Sequence, residues 1–199
     1  MDINFIRVGI LGSTRGTDLQ AILDGLQIGR LPGVEISIVI SNRKGAFILE
    51  RAQKYDIPTM VINTKDKTRE EVDTNIDGIL KQYKVDCVLL IGFMRILSSW
   101  FVQRWFGRCF NVHPSLLPAF GDLMDLQVHE AVLKANSTET GCTVHLVGDK
   151  VDSGPIVMQK KCSILPSDSP EDLKKRVQIL EGEALIETLI RFQKSVKNR

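Results

Sequence analysis

The chain has 199 residues, of which 43% are hydrophobic and 25% charged, with a formal net charge of +2. That length and apolar content suit one domain, spanning residues 1–199, with enough material for a core. The balanced charge, with no basic block, excludes the electrostatic footprint of a nucleic-acid binder or a membrane-surface segment.

The start, Met1-Asp2-Ile3-Asn4, lacks the basic opening and small-residue cleavage site of a secretory signal. The longest apolar run, residues 85–94, contains Asp86 and is too short to cross a bilayer. In chain order, residues 7–11 read as a buried strand, residues 12–18 as a polar turn and residues 19–26 as a helix. A second strand is expected over 34–40, where Ile36, Ile38 and Ile40 alternate. Helical spacing over 45–54, a short strand over 59–62, a charged helix over 68–83 and a strand over 85–91 follow. Val72, Ile76 and Leu80 form the apolar face of that charged helix. Strands alternating with helices imply parallel βαβ units in a doubly wound α/β sheet, and the nearly continuous apolar runs imply burial on both faces. Ligands then bind beyond the carboxyl ends of the strands, at the loops 12–18, 41–44, 63–67, 92–98 and 111–118.

The second half changes rhythm. A short strand is expected over 109–112 and a helix over 127–135. Two strands over 143–147 and 156–164 flank a turn at 149–154, giving a C-terminal antiparallel pair. A long helix over 170–193 has Ser169 as N-cap and Pro170 in its first turn. Cys87, Cys109, Cys142 and Cys162 show no CxxC pairing and no finger-like His spacing, so they read as free thiols of a reducing cytoplasm with no metal site.

Two places carry chemistry. Residues 12–18 join a strand to a helix, where free N–H groups and the helix dipole favour an anion. Gly16 permits close approach and Thr17 adds a hydroxyl, but the stretch is neither a Walker loop nor GxGxxG, so a plain turn capped by Thr17 or Asp18 stays open. The second place is Asn111-Val112-His113-Pro114. In an extended segment, residues 111 and 113 point the same way, setting an amide donor beside an imidazole. Asp152, in the turn Val151-Asp152-Ser153-Gly154-Pro155, would orient the imidazole if it came near, although alone it reads as an ordinary turn Asp. No GxSxG elbow is present, so acyl chemistry here would be direct, with Asn and His stabilising an oxyanion.

These residues, with Gly16-Thr17-Asp18-Leu19-Gln20-Ala21-Ile22, Gly92-Phe93-Met94-Arg95-Ile96-Leu97-Ser98, Asn111 through Pro118, and Thr140-Gly141-Cys142-Thr143-Val144-His145, resemble the folate-dependent phosphoribosylglycinamide formyltransferase (GAR transformylase) family from about residue 7 to 192. The resemblance implies a Rossmann-like formyltransferase fold. It also implies transfer of the formyl group of 10-formyltetrahydrofolate, as co-substrate, to the amine of glycinamide ribonucleotide in purine biosynthesis. The N-terminal half would hold the ribonucleotide phosphate, and the C-terminal half folate and catalysis.

Carried onto this sequence, Asn111, His113 and Asp152 match the catalytic trio. Gly16, Thr17, Asp18, Leu19, Gln20, Pro114, Gln178 and Glu181 match ribonucleotide-binding positions. Arg69, Met94, Arg95, Ile96, Leu97, Asn111, Val147, Gly148 and Val151 match folate-binding positions. His129 and His145 are expected to be structural. The implied partners are small molecules only, in a cytoplasmic monomer or weak homodimer.

The sequence departs from the family pattern at Thr14-Arg15, where a Gly-rich pair is frequent, and at Asp18, where Asn is common. Residues 119–125 are longer than in the best-known bacterial form, and the histidine that assists the catalytic Asp in some members has no clear counterpart. Other formyl-transfer enzymes share the Asn-x-His-Pro core: formyltetrahydrofolate hydrolase, sugar-nucleotide formyltransferases and methionyl-tRNA formyltransferase. The tRNA enzyme carries a further RNA-binding domain and the hydrolase a further regulatory domain. A non-catalytic folate-binding module would not need all three of Asn111, His113 and Asp152.

Overall fold

The computed structural model describes residues 5–197. Seven strands form one sheet: β1 (Ile6–Gly12), β2 (Val34–Ser41), β3 (Thr59–Val61), β4 (Cys87–Ile91), β5 (Cys109–His113), β6 (Glu139–Leu146) and β7 (Ile156–Ser163). Their order is β3-β2-β1-β4-β5-β6-β7. The first five strands are mutually parallel, while β6 runs antiparallel to β5 and β7 antiparallel to β6. The doubly wound, mostly parallel sheet with a C-terminal antiparallel pair matches the sequence expectation.

Among the described residues the helices are α1 (Thr17–Gln27), α2 (Phe47–Gln53), α3 (Arg69–Gln82), α4 (Ser99–Arg104), α5 (Leu126–Lys134) and α6 (Pro170–Lys197). Side chains alternate across the sheet. Cys87, Leu89 and Ile91 join Ile10 of β1, Ile22 of α1 and Leu185 of α6 in one core cluster. Val88 and Leu90 point the other way, towards Ile76 and Leu80 of α3 and Phe101 of α4. A fully buried Ile or Leu in such a core contributes about 1.5–3 kcal/mol of hydrophobic stabilisation.

Local signals set the helix starts. Thr68 and Glu71 form a capping box on α3. Ser169 Oγ accepts from Asp172 N at 3.2 Å, and Asp172 returns the bond at Ser169 N, so Ser169 caps α6 as its sequence suggests. The differences with a local cause are these. Helix α1 starts at Thr17 rather than 19, because Gly16 in a left-handed conformation (φ 68°) turns the chain directly into it. Strand β6 begins at Glu139 rather than 143, because residues 139–142 gain a partner in β7. The short helix α4, which the sequence reading does not anticipate, is capped by Ser98, whose Oγ accepts from Phe101 N.

The strand order reverses direction between β1 and β4, which makes a crevice at their carboxyl ends. The loops 12–18 and 92–98 meet there. Ser13 N donates to Gly92 O at 3.1 Å, and Met94 N donates to Ser13 Oγ at 3.4 Å. Strand β5 lies next to β4, with Asn111 in register with Leu90.

Candidate active site

Register places the central residues. The antiparallel pairing of β5 with β6 sets Asn111 opposite His145 and His113 opposite Thr143. Asn111 and His113 share one face of β5, as their spacing predicts. The turn after β6 then brings Asp152 back onto them. That turn is tight: a Cβ on Gly154 would lie 1.8 Å from the Leu146 carbonyl oxygen, so only glycine fits there. Asp152 itself sits at φ 49°, a conformation that Asp tolerates better than most residues.

Around the Asp152 carboxylate, the contacts are close. His113 Nδ1 lies 3.1 Å from Oδ2, Asn111 Nδ2 donates to Oδ1 at 3.0 Å, and His145 Nε2 lies 3.3 Å from Oδ1. Burial by itself would raise the Asp152 carboxyl, but hydrogen bonds from His113 and His145, and their charge, outweigh it and hold the group well below the usual carboxylate range. The other His113 nitrogen, Nε2, is 3.0 Å from the Phe120 carbonyl oxygen. Both ring nitrogens thus face oxygen acceptors, and the ring satisfies both only when it carries both hydrogens.

His145, expected above to be structural, belongs to this cluster. Its Nδ1 lies 2.9 Å from Leu146 O and its Nε2 3.1 Å from Asn111 Nδ2. With a hydrogen on Nε2 it donates to Asp152, leaving the second Asn111 amide hydrogen for a substrate oxygen. His145 is the support for Asp152 that the motif pattern does not supply. The available signal was alternation within β6, which puts residues 143 and 145 on one face, but only the antiparallel pairing aims that face at Asn111. His129 lies apart in α5. It is buried, and burial, followed by Lys174, pushes its imidazole down to about 4, so it stays neutral.

Thr143 braces the loop that follows His113. Its hydroxyl donates to Ser115 O at 2.7 Å and accepts from Leu117 N at 3.0 Å and Gln159 Nε2 at 2.9 Å. Pro114, half-buried, follows directly on His113.

At the first crevice loop, the N–H groups of Thr17, Asp18 and Leu19 lie in the first turn of α1, where an α-helix has no internal acceptors for them. The Leu19 side chain is in the core, so only its backbone can face a ligand. Gln20 contributes less than its position suggests. Its N–H donates to Gly16 O, and its side chain is held by Asp24, Tyr55 and Arg51. Asp18 is buried together with Glu181 of α6, whereas Gln178 is half-buried one turn earlier on α6.

On the other side of the crevice, Met94, Ile96 and Val151 are exposed apolar side chains on loops beside β5, while Leu97 is buried. Exposed apolar side chains at a loop crevice suit the face of a flat ring. Arg95 has a buried Nε without a hydrogen-bond partner. Val147 packs against the α3–α4 core, and Gly148 lies close to Gly154. Arg69 is exposed at the start of α3. Sequence reasoning missed Asp73: fully buried in α3, it accepts from Ser98 N at 2.5 Å and fastens the end of the 92–98 loop, with the charges of Arg95 and Arg69 nearby.

The thiols take no part. Cys87, Cys109, Cys142 and Cys162 are free, and burial pushes Cys142 up to about 12 and raises the others. Among the described residues, no group of three or more His, Cys, Asp or Glu side chains has the arrangement of a metal site, and no helix is long and apolar enough to cross a membrane.

The formyl transferase family model matches residues 6–189. The chain is 46% identical over 178 residues to the trifunctional purine biosynthetic protein adenosine-3 of Drosophila pseudoobscura pseudoobscura, covering 88% of this chain but only 13% of that protein. It is 38% identical over 177 residues to phosphoribosylglycinamide formyltransferase of Escherichia coli (strain K12), covering 88% of this chain and 82% of that one. Among solved structures it is similar to phosphoribosylglycinamide formyltransferase of Coxiella burnetii, with a TM-score of 0.90, 40% identity, and coverage of 96% of this chain and 89% of that one. From the family match, the shared length and the fold, the chain belongs to the formyl transferase family, on its phosphoribosylglycinamide formyltransferase branch.

Proposed function

We propose that the chain, acting as one formyltransferase domain, transfers the formyl group of 10-formyltetrahydrofolate to the amine of 5′-phosphoribosylglycinamide, yielding N-formylglycinamide ribonucleotide and tetrahydrofolate in de novo purine (IMP) biosynthesis. The observation that carries this reading is the meeting of Asn111, His113 and Asp152 within hydrogen-bond distance beside the switch-point crevice. The amine nitrogen adds to the formyl carbon, and the oxyanion that forms is received by the Asn111 amide and the His113 imidazolium. The bond from carbon to folate N10 then breaks, and the proton from the amine ends on N10. A carboxyl held as low as Asp152 keeps a proton poorly. Its main part is therefore to stay ionised and hold His113 charged and aimed, with water carrying the proton past it.

The first turn of α1, through Gly16, Thr17 and Leu19, holds the phosphate, with Gln20 shaping the loop. Pro114, Gln178 and Glu181 lie near the glycinamide end of the ribonucleotide, and Asp18 near its ribose. Met94, Arg95, Ile96, Leu97, Val147, Gly148 and Val151 form the folate wall, and Arg69 meets the glutamate tail. The partners are these small molecules in a cytoplasmic setting, with the protein a monomer or weak homodimer. The test is formyl transfer followed spectroscopically with 10-formyltetrahydrofolate and glycinamide ribonucleotide. Product that depends on the amine is expected. Formate released to water, or folate binding without turnover, would overturn the reading.

A further inference from the structure

Two carboxyl groups are buried together where α1 packs on α6. A Cβ on Gly182 would lie 2.5 Å from Ala21, and one on Gly25 would lie 3.1 Å from Ile186, so the two helices run side by side in parallel register. Asp18 lies one turn before Ala21 on the same face of α1, and Glu181 adjoins Gly182. Asp18 is 8% exposed and Glu181 7%, and the buried Oδ1 of Asp18 has no hydrogen-bond partner.

Among the described residues no cation forms an ion pair with either carboxyl, and the one whose charge favours ionised Glu181, Lys174, is shared with an acid. Lys174, on the same helix as Glu181, is engaged by Asp125 from the loop before α5. Lys160 of β7 pairs with Glu187 at 2.6 Å, and Arg51 of α2 is bound to Arg15 O and Gln20. From β6 the pair faces Cys142, a neutral thiol. Two ionised carboxylates in such a site would each lose hydration without a compensating charge and would repel one another. Burial pushes the Asp18 carboxyl up to about 7, and burial together with the Asp18 charge pushes Glu181 well above its usual range.

We propose that Asp18 and Glu181 act as one acid pair that retains a proton at neutral pH, and that this proton sets how well the adjoining 12–18 loop accepts a sugar phosphate. With the proton present, the pair carries at most one negative charge and offers an O–H donor to a ribose oxygen. Once it is lost, a second charge stands in the first turn of α1, where it opposes the anion that the helix N-terminus attracts. This explains how a carboxylic residue can occupy the phosphate loop. The inference rests on the ribonucleotide reading of the site proposed above.

The test has two arms. The infrared spectrum of the ligand-free protein near neutral pH should contain a protonated-carboxyl stretch that the double variant Asp18→Asn/Glu181→Gln lacks. Calorimetric titration with glycinamide ribonucleotide should show affinity falling as pH rises from about 6.5 to about 8.5, with a limiting slope of about tenfold per pH unit for one proton lost. Asp18→Asn should flatten that slope, which separates the pair from ionisation of the ligand phosphate, complete near the bottom of this range. A missing infrared band, or an equal slope in Asp18→Asn, overturns the pair even where formyl transfer is intact. The band in a protein that makes no formylated product leaves the pair standing and overturns the transfer reading instead.

Discussion

At the scale of single residues, Asp152 and Asp18 are opposites. Asp152 is held by donors from three side chains, and Asp18 by none at its buried oxygen. Their pH signatures therefore differ in sign. The Asp152 carboxyl is depressed, so its stabilisation is present above its unfolded value of about 3.8 and lost as pH falls through the folded value. Thermal unfolding of Asp152→Asn should accordingly fall furthest below wild type near neutral pH and approach it as pH drops below about 4. The Asp18 carboxyl is raised to about 7, so its contribution is present below the unfolded value and lost as pH rises through the folded one. The melting temperature of Asp18→Asn relative to wild type should therefore grow from about pH 4 to about pH 7 and then level off. Asn111 and His113 were legible in the sequence because an amide and an imidazole two apart on a strand share a face, whereas Asp152 read alone as a turn residue and was tied to them only by the family resemblance. His145 was not legible, since nothing local says which strand faces it. His145→Ala should cost about 1–3 kcal/mol in unfolding free energy by stripping a buried carboxylate of a donor, and should lower kcat with little change in ribonucleotide affinity. An unchanged kcat would remove His145 from the site.

At the scale of elements, two loops are set by elements outside them. The turn 147–155 aims Asp152 only because glycine at 154 lets it pass the Leu146 carbonyl. Gly154→Ala should therefore reduce kcat and lower the melting temperature together, whereas a surface change such as Lys150→Ala in the same turn should do neither. The 92–98 loop is fastened from α3 by Asp73. Asp73→Ala should raise the KM for folate more than that for the ribonucleotide, and cost about 1–3 kcal/mol through the unsatisfied Ser98 N–H. Neither dependence is local in sequence: Asp73 looks like one more charge on a charged helix. The longer parallel strands of the first half were legible because each is a short run rich in Val, Ile and Leu between a helix and a turn. The start of β6 was not, because Glu139 and Gly141 have little strand character of their own and are held by pairing with β7.

At the scale of the whole molecule, the doubly wound order puts the 12–18 loop, the 92–98 loop and the Asn111–His113–Asp152 cluster around one crevice; if they hold the two substrates as proposed, both should bind the folded state alone. Either one at about a hundred times its Kd should stabilise the protein by about 2.7 kcal/mol, seen as a rise in melting temperature; no shift with the ribonucleotide would contradict its assigned site. The alternation of strands and helices made this architecture readable from sequence, while the strand order, which creates the crevice, came only with the structure. Asn111, His113 and Asp152 are proposed to work as one formyl-transfer centre. Its most direct test is single-turnover formyl transfer in wild type and Asp152→Asn, alongside the Kd for glycinamide ribonucleotide. The transfer rate should fall by roughly 10²–10⁴-fold with ribonucleotide affinity nearly unchanged. A near-normal transfer rate in Asp152→Asn would contradict the proposal.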